Sequence, residues 1–229
     1  MTIIFAPSEL DYDTRCSRCF YLKKVQDIRM EDFPPPVFSS FDRVQQRFFK
    51  SKKVSVLTDR LPEGSIIDAV TFPNLIISKT LADKKGRSFV LRGKPDIVIK
   101  FDKGGYGIID FKTTTISATK AENYRYQLES YAQIFTHPGA LKSKVVPKLS
   151  PITHMGVLQF YPESISSVKD FMSNCKLQMS YASLRRDVDG FYTHITKLID
   201  ILSKKTVPGH DSNCPKCKYI QKIQSKKKA

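Results

Sequence analysis

Two carboxylates and a lysine offer the most reactive combination in this sequence. Asp96 heads the apolar run Gly93-Lys94-Pro95-Asp96-Ile97-Val98-Ile99-Lys100. Asp110 and Lys112 lie two residues apart in Ile108-Ile109-Asp110-Phe111-Lys112-Thr113. Side chains alternate faces along a strand, so Asp110 and Lys112 are expected to point the same way, with Phe111 turned to the core. Two acids and an amine converging on one strand edge suit a divalent cation and an anionic oxygen, the chemistry of phosphodiester hydrolysis.

The elements that must position these groups can be read from spacing and turn chemistry. Asp102-Lys103-Gly104-Gly105 joins the two runs as a hairpin, which pairs the strand of Asp96 with that of Asp110 and Lys112. A helix over about 120–135 follows, ended by His137-Pro138-Gly139, and carries Gln127 and Tyr131 at i and i+4 on one face. Upstream, Ser8 is a candidate N-cap for a helix reaching Leu22. Phe33-Pro34-Pro35-Pro36 breaks the chain, and a helix over about 40–50 follows, with Phe41, Val44 and Phe48 at helical spacing. Short apolar runs at Ala69-Val70 and Leu75-Ile76-Ile77 read as strands, as does 153–161. A last helix over about 187–202 aligns Phe191, Ile195, Leu198, Ile199 and Leu202. Neither a repeat nor a domain boundary is visible, so residues 1–229 read as one domain.

Gly-x-x-Asp, then Asp-Phe-Lys-Thr, then Gln-x-x-x-Tyr, carried by Gly93, Asp96, Asp110, Lys112, Thr113, Gln127 and Tyr131, resembles the RecB-like branch of the PD-(D/E)XK nuclease superfamily, which includes the CRISPR-associated RecB-like exonucleases. The resemblance implies an α/β fold with a restriction-endonuclease-like core, a central mixed β-sheet flanked by helices. It implies that Asp96, Asp110 and the backbone carbonyl of Phe111 hold Mg²⁺ or Mn²⁺, hard cations suited to oxygen ligands. Lys112 would position the attacking water or stabilise the transition state, and Gln127 and Tyr131 would orient the lysine or contact the DNA backbone. Related nucleases place a Glu or His on a preceding helix; Asp42 is the nearest equivalent here.

Cys16-Ser17-Arg18-Cys19 and Cys214-Pro215-Lys216-Cys217 supply four thiolates, enough for a tetrahedral Zn²⁺ site or a [4Fe–4S] cluster. Two such pairs flanking the core predict a clasp between segments 8–24 and 208–222, followed by a basic tail, 223–229. Iron–sulfur nucleases of the RecB-like type typically place one cysteine upstream and three downstream; this chain has two and two. It is also similar to small nuclease-like proteins that share the Cys-x-x-Cys-Phe-Tyr-Leu opening and a terminal Cys-x-x-Cys. Zinc and iron–sulfur both stay open at this point. Cys175 stands alone, and the four histidines have no metal-ligand spacing among themselves.

The chain has 229 residues and a formal net charge of +16, an excess that favours a nucleic acid as partner, DNA on the family resemblance. No apolar run approaches the ~20 residues of a membrane helix, and the N-terminus lacks the pattern of a signal peptide. A cytoplasmic location is therefore expected, where cysteines seldom form disulfides. No helicase or ATPase motif is present, so any unwinding would fall to a helicase or repair partner. The reading is a metal-dependent deoxyribonuclease of repair, recombination or defence. The alternative is a nuclease-fold module that binds nucleic acid without cutting it.

Overall fold

A computed structural model describes residues 2–11, 16–28, 36–67, 75–141, 144–170 and 172–226. Strand β1 (Ile3–Phe5) leads through a 3-10 turn (Pro7–Asp11) to helix α1 (Ser17–Val25), so the single helix expected from Ser8 to Leu22 is instead a turn and a later helix. Helix α2 (Pro36–Phe49) starts on a proline, whose fixed φ suits the first helical position. Strands β2 (Gly64–Ile66), β3 (Ile76–Ile77), β4 (Leu81–Ala82) and β5 (Ser88–Gly93) precede the predicted hairpin of β6 (Ile97–Phe101) and β7 (Tyr106–Thr113). Helices α3 (Ala118–Glu122) and α4 (Arg125–Thr136) follow, then β8 (Ala140–Leu141) and β9 (Lys144–Val145). The long strands β10 (Ile152–Lys169) and β11 (Met172–Leu184), α5 (Val188–Leu202) and α6 (Pro215–Lys226) complete the order. The strand expected at Ala69-Val70, the break at 33–35 and the tail residues 227–229 lie outside the described residues.

The main sheet has the order β11-β10-β7-β6-β2 and is mixed: β7 and β10 run parallel, and every other neighbouring pair is antiparallel. A parallel pair needs a crossover, and α3 and α4 supply it. A second sheet is built on β5, with β1 parallel on one side and β3 and β4 antiparallel on the other. The expected α/β architecture, a central mixed sheet flanked by helices, is the one observed.

Strand β7 reads as an almost unbroken apolar run because both of its faces are covered. Ile108 joins a core with Phe89, Leu128, Phe135, Phe191 and Leu198, whereas Ile109 and Phe111 join Phe49, Ile99, Leu158 and Phe160 on the other side. Helix α2 packs on that second core through Phe49 and the partly buried Phe41, and it also buries Gln45. Of the expected stripe Phe41, Val44 and Phe48, only Phe41 is partly buried; the helix is rotated so that Val44 and Phe48 face solvent. The crossover helix is broken in two, with Ser117 capping α3 and α4 starting anew after Tyr124. The strand expected at 153–161 extends much further and turns back as β11, through Asp170 in the left-handed region (φ 52).

Gly93 marks the junction between the two sheets. A Cβ there would stand 2.6 Å from the Pro7 ring and 3.1 Å from Tyr131. Gly93→Ala is therefore expected to cost about 1–3 kcal/mol of stability by overpacking, read as a lower urea midpoint at unchanged slope.

Candidate active site

The hairpin and the crossover bring the sequence-predicted residues together at one end of the main sheet. Asp96 ends the link from β5 to β6, and its Oδ2 accepts a hydrogen bond from the backbone N–H of Phe111 at 2.7 Å. That bond fastens Asp96 to the neighbouring strand between Asp110 and Lys112. Lys112 Nζ forms an ion pair with Asp110 Oδ2 at 2.5 Å and stands 4.6 Å from the centre of the Tyr124 ring. Gln127 Nε2 donates to Asp110 Oδ1 at 3.0 Å from the first turn of α4.

Two of the expected contacts differ in detail. The amide of Gln127 bonds Asp110 rather than Lys112. The Tyr131 hydroxyl donates to the carbonyl of Lys94 at 2.9 Å, so it holds the Gly93–Asp96 link and is buried away from solvent. Both side chains thus set the positions of the carboxylates. Across the sheet, Gln159 faces Lys112 in register and is fully inside; its amide accepts from Ser117 N and donates to Ser117 O, which pins the loop after β7.

Helix α2 contributes a residue that the sequence did not reveal. Gln46 Nε2 donates to Asp96 Oδ1 at 2.9 Å, completing the shell of that carboxylate. Asp42 lies one turn earlier and is exposed, and its negative charge reaches both Asp96 and Asp110. Among the described residues only the cysteine quartet gathers three or more potential ligand atoms from His, Cys, Asp and Glu, so Asp42 does not meet Asp96 and Asp110 at ligand distance. The neighbouring Gln45 is buried (4% exposed) with neither amide atom paired, and Thr113 Oγ1 is likewise unpaired among the described residues. A glutamine in a helix is ordinarily a solvated residue, so nothing in the sequence distinguished Gln45 or Gln46. The nearest signal was that 45 and 49, rather than 44 and 48, fall on the inward face.

The electrostatics fit a cation. Burial, then the charge of Asp110, pushes the Asp96 carboxyl up to about 7 from its ordinary 3.8. Burial also raises Asp110, against the opposing pull of Lys112. Burial works against the charge on Lys112, but Asp110 and Asp96 more than offset it, and its ammonium form is favoured. Two desolvated carboxylates with a single lysine beside one of them carry an excess of negative charge that a cation would offset. Phe111 follows Asp110 on β7, and its N–H is the group that bonds Asp96.

The ends of the chain meet as expected from the cysteine pairs. Cys16 Sγ and Cys217 Sγ are 3.5 Å apart, and Cys19 Sγ and Cys214 Sγ 3.7 Å. Arg18 Nη1 donates to Pro208 O and the Tyr21 hydroxyl to Lys204 O, tying α1 to the segment after α5. Cys175 is exposed on β11 and is not among the gathered sulfurs.

Residues 42–221 match the family model described as "PD-(D/E)XK nuclease superfamily", and on that extent the chain belongs to this superfamily. Membership implies hydrolysis of nucleic acid with a divalent metal. A solved structure described as "Crystal structure of SSO0001" aligns over 90% of this chain and 79% of its own, with a TM-score of 0.49 and 12% identity. No curated protein matches the chain. Among the described residues no helix is long and apolar enough to cross a membrane.

Proposed function

We propose that the chain is a Mg²⁺- or Mn²⁺-dependent deoxyribonuclease of the RecB-like type, with Asp96, Asp110 and Lys112 at its centre. One observation supports this most strongly: a half-buried carboxylate at the head of β6 and a buried one on the paired strand β7, the latter beside a lysine, inside the fold of a nuclease superfamily. Asp96 and Asp110 would hold the metal, with the carbonyl of Phe111 as a third ligand, while Asp42 on α2 adds negative charge from outside the ligand set. When bound, the ion lowers the pKa of water and offsets charge developing on the scissile phosphate. Asp96 is kept in place by Gln46 and Phe111 N, and Asp110 by Gln127. Lys112 is anchored by Asp110 and the Tyr124 ring, which directs a fixed positive charge at the phosphate and the attacking water. The net charge of +16 would draw the polyanion in. A role in repair, recombination or defence, with a helicase supplying any unwinding, fits the same reading.

The test is cleavage by purified protein of single- and double-stranded DNA, with Mg²⁺, with Mn²⁺ and with chelator. Cutting that needs the metal supports the reading, and absence of cutting under every condition overturns it. A second reading, a module that binds nucleic acid without cutting, is favoured by Gln46 occupying Asp96 Oδ1 and by the outlying Asp42. Salt-sensitive DNA binding without cleavage would single it out.

The raised carboxyl of Asp96 makes metal binding pH-dependent. A proton competes with the cation at that site, so Mn²⁺ affinity should rise as pH climbs towards about 7 and level off above it. In the metal-free protein the sign is reversed for stability. The folded state holds the Asp96 proton between the ordinary 3.8 and about 7, while the unfolded chain releases it, so stability falls as pH rises through that window. Calorimetric titration with Mn²⁺ at pH 6 and pH 8 checks the first statement, and thermal melts in chelator across the window from the ordinary 3.8 to about 7 check the second.

A further inference from the structure

We propose that the cysteine quartet binds a single, tetrahedrally coordinated zinc ion, and that this ion fastens the C-terminal helix to the body of the protein. The inference concerns a site separate from the carboxylates and stands whether or not they cut DNA.

The spacing of the sulfurs separates one ion from a cluster. The ligand atoms of Cys16, Cys19, Cys214 and Cys217 all lie within 4.8 Å of one another, and the two shortest separations are 3.5 and 3.7 Å. A tetrahedron of thiolates about 2.3 Å from a central zinc has edges of about 3.8 Å. A [4Fe–4S] cluster attaches each thiolate to a different iron at the corner of a cube, which drives the four sulfurs outwards, well beyond a single-ion edge. The observed separations are also far longer than the ~2.05 Å of a disulfide bond. Soft sulfur ligands in a closed four-coordinate set select zinc over the hard cations suited to Asp96 and Asp110.

Local structure prepares both pairs for the same ion. Cys16 is the N-cap of α1, and its sulfur accepts from Cys19 N at 3.4 Å. Cys214 immediately precedes α6, and Cys217 lies in its first turn. Each Cys-x-x-Cys therefore presents two sulfurs from the start of a helix, one pair from each end of the chain. Cys16, Cys214 and Cys217 are buried and Cys19 is partly so, which leaves no open coordination position of the kind a catalytic zinc keeps.

The packing shows what the ion would do. Along the twelve residues of α6, Cys217 is the one buried side chain, and Tyr219 and Ile223 are exposed on the opposite side. The cluster around the sulfurs consists of the cysteines themselves. A helix this short, lysine-rich and so thinly packed lacks the buried area to hold its place by the hydrophobic effect. Metal–thiolate bonds supply the missing attachment, so removal of the ion should free α6 while leaving the sheet folded.

The experiment is elemental analysis of full-length protein isolated without oxygen from cells supplied with both iron and zinc, together with cobalt exchange. One zinc per chain, no sulfide and no colour are expected. On exchange, Co²⁺ should give the intense thiolate charge-transfer and visible bands of a tetrahedral sulfur site. Cys175→Ser should keep the full complement of zinc, and Cys217→Ser should lose most of it. Hydrogen exchange at 215–226 should accelerate at least tenfold with a strong zinc chelator, while β7 stays protected. Stoichiometric iron, with or without sulfide, overturns the proposal, as does a metal-free protein with either paired or free cysteines. Unchanged protection of 215–226 after zinc removal overturns the fastening role. None of these readouts depends on DNA cleavage, so failure here is distinguishable from failure of the nuclease reading.

Discussion

Replacing Lys112 by alanine is expected to lower metal-dependent cleavage by about 10²–10³-fold, the loss typical of removing one preorganised charge from a transition state. The ammonium group is mostly enclosed, held by Asp110 at 2.5 Å and lying over Tyr124, so it is fixed before substrate arrives. Its removal should fall on kcat rather than KM, because most of the protein's positive charge lies elsewhere and still attracts DNA. Lys112→Arg should restore little, since a planar guanidinium does not occupy the position of a compact ammonium between a carboxylate and a ring. Single-turnover cleavage, paired with DNA binding in chelator, separates the two effects. Cleavage within threefold of wild type would remove Lys112 from the chemistry.

The largest effect on stability is expected away from the site. Glu129 on α4 is completely buried, and Arg186, in the link between β11 and α5, binds both of its oxygens at 2.5 and 3.2 Å. Gln133 donates to the same carboxylate at 2.9 Å. Arg186→Ala would strand a charge inside the protein, at a cost of about 3–5 kcal/mol. The double replacement Glu129→Met with Arg186→Met removes both charges and should cost clearly less than the single change. Urea unfolding of the three proteins checks this ordering. Because Glu129 follows Gln127 by two residues on α4, loosening the helix should also weaken the hold on Asp110. A loss below 1 kcal/mol for Arg186→Ala would show that Glu129 finds water instead.

The parts of the site carried by strand alternation and by a Gly-Gly turn were legible from the residues alone. Asp96, Asp110 and Lys112 fall on β6, β7 and their approach because the acids interrupt apolar runs of strand length. The i, i+4 pair Gln127 and Tyr131 was legible too, although their partners were not: a hydrogen bond to Lys94 O depends on how closely Gly93 lets the helix approach. Gln46 was invisible, since its role depends on the rotation of α2 over the sheet, and the apolar pattern of Phe41, Val44 and Phe48 suggested the wrong face. The β10–β11 ribbon was missed because its turn carries no glycine and uses Asp170 in the left-handed region, which Asp tolerates. The meeting of the four cysteines followed from their number and spacing, but the distances that discriminate one ion from a cluster needed coordinates.

The most direct measurement compares wild type with Asp110→Asn for Mn²⁺-dependent DNA cleavage and for Mn²⁺ binding by calorimetry. The substitution keeps the size of the side chain and its contact with Gln127 while removing the charge that the ion needs. Wild type is predicted to bind Mn²⁺ and cut DNA, and Asp110→Asn to keep its fold and DNA affinity while losing both the metal and the cleavage. Equal cleavage by the two proteins would contradict the assignment of the carboxylate centre.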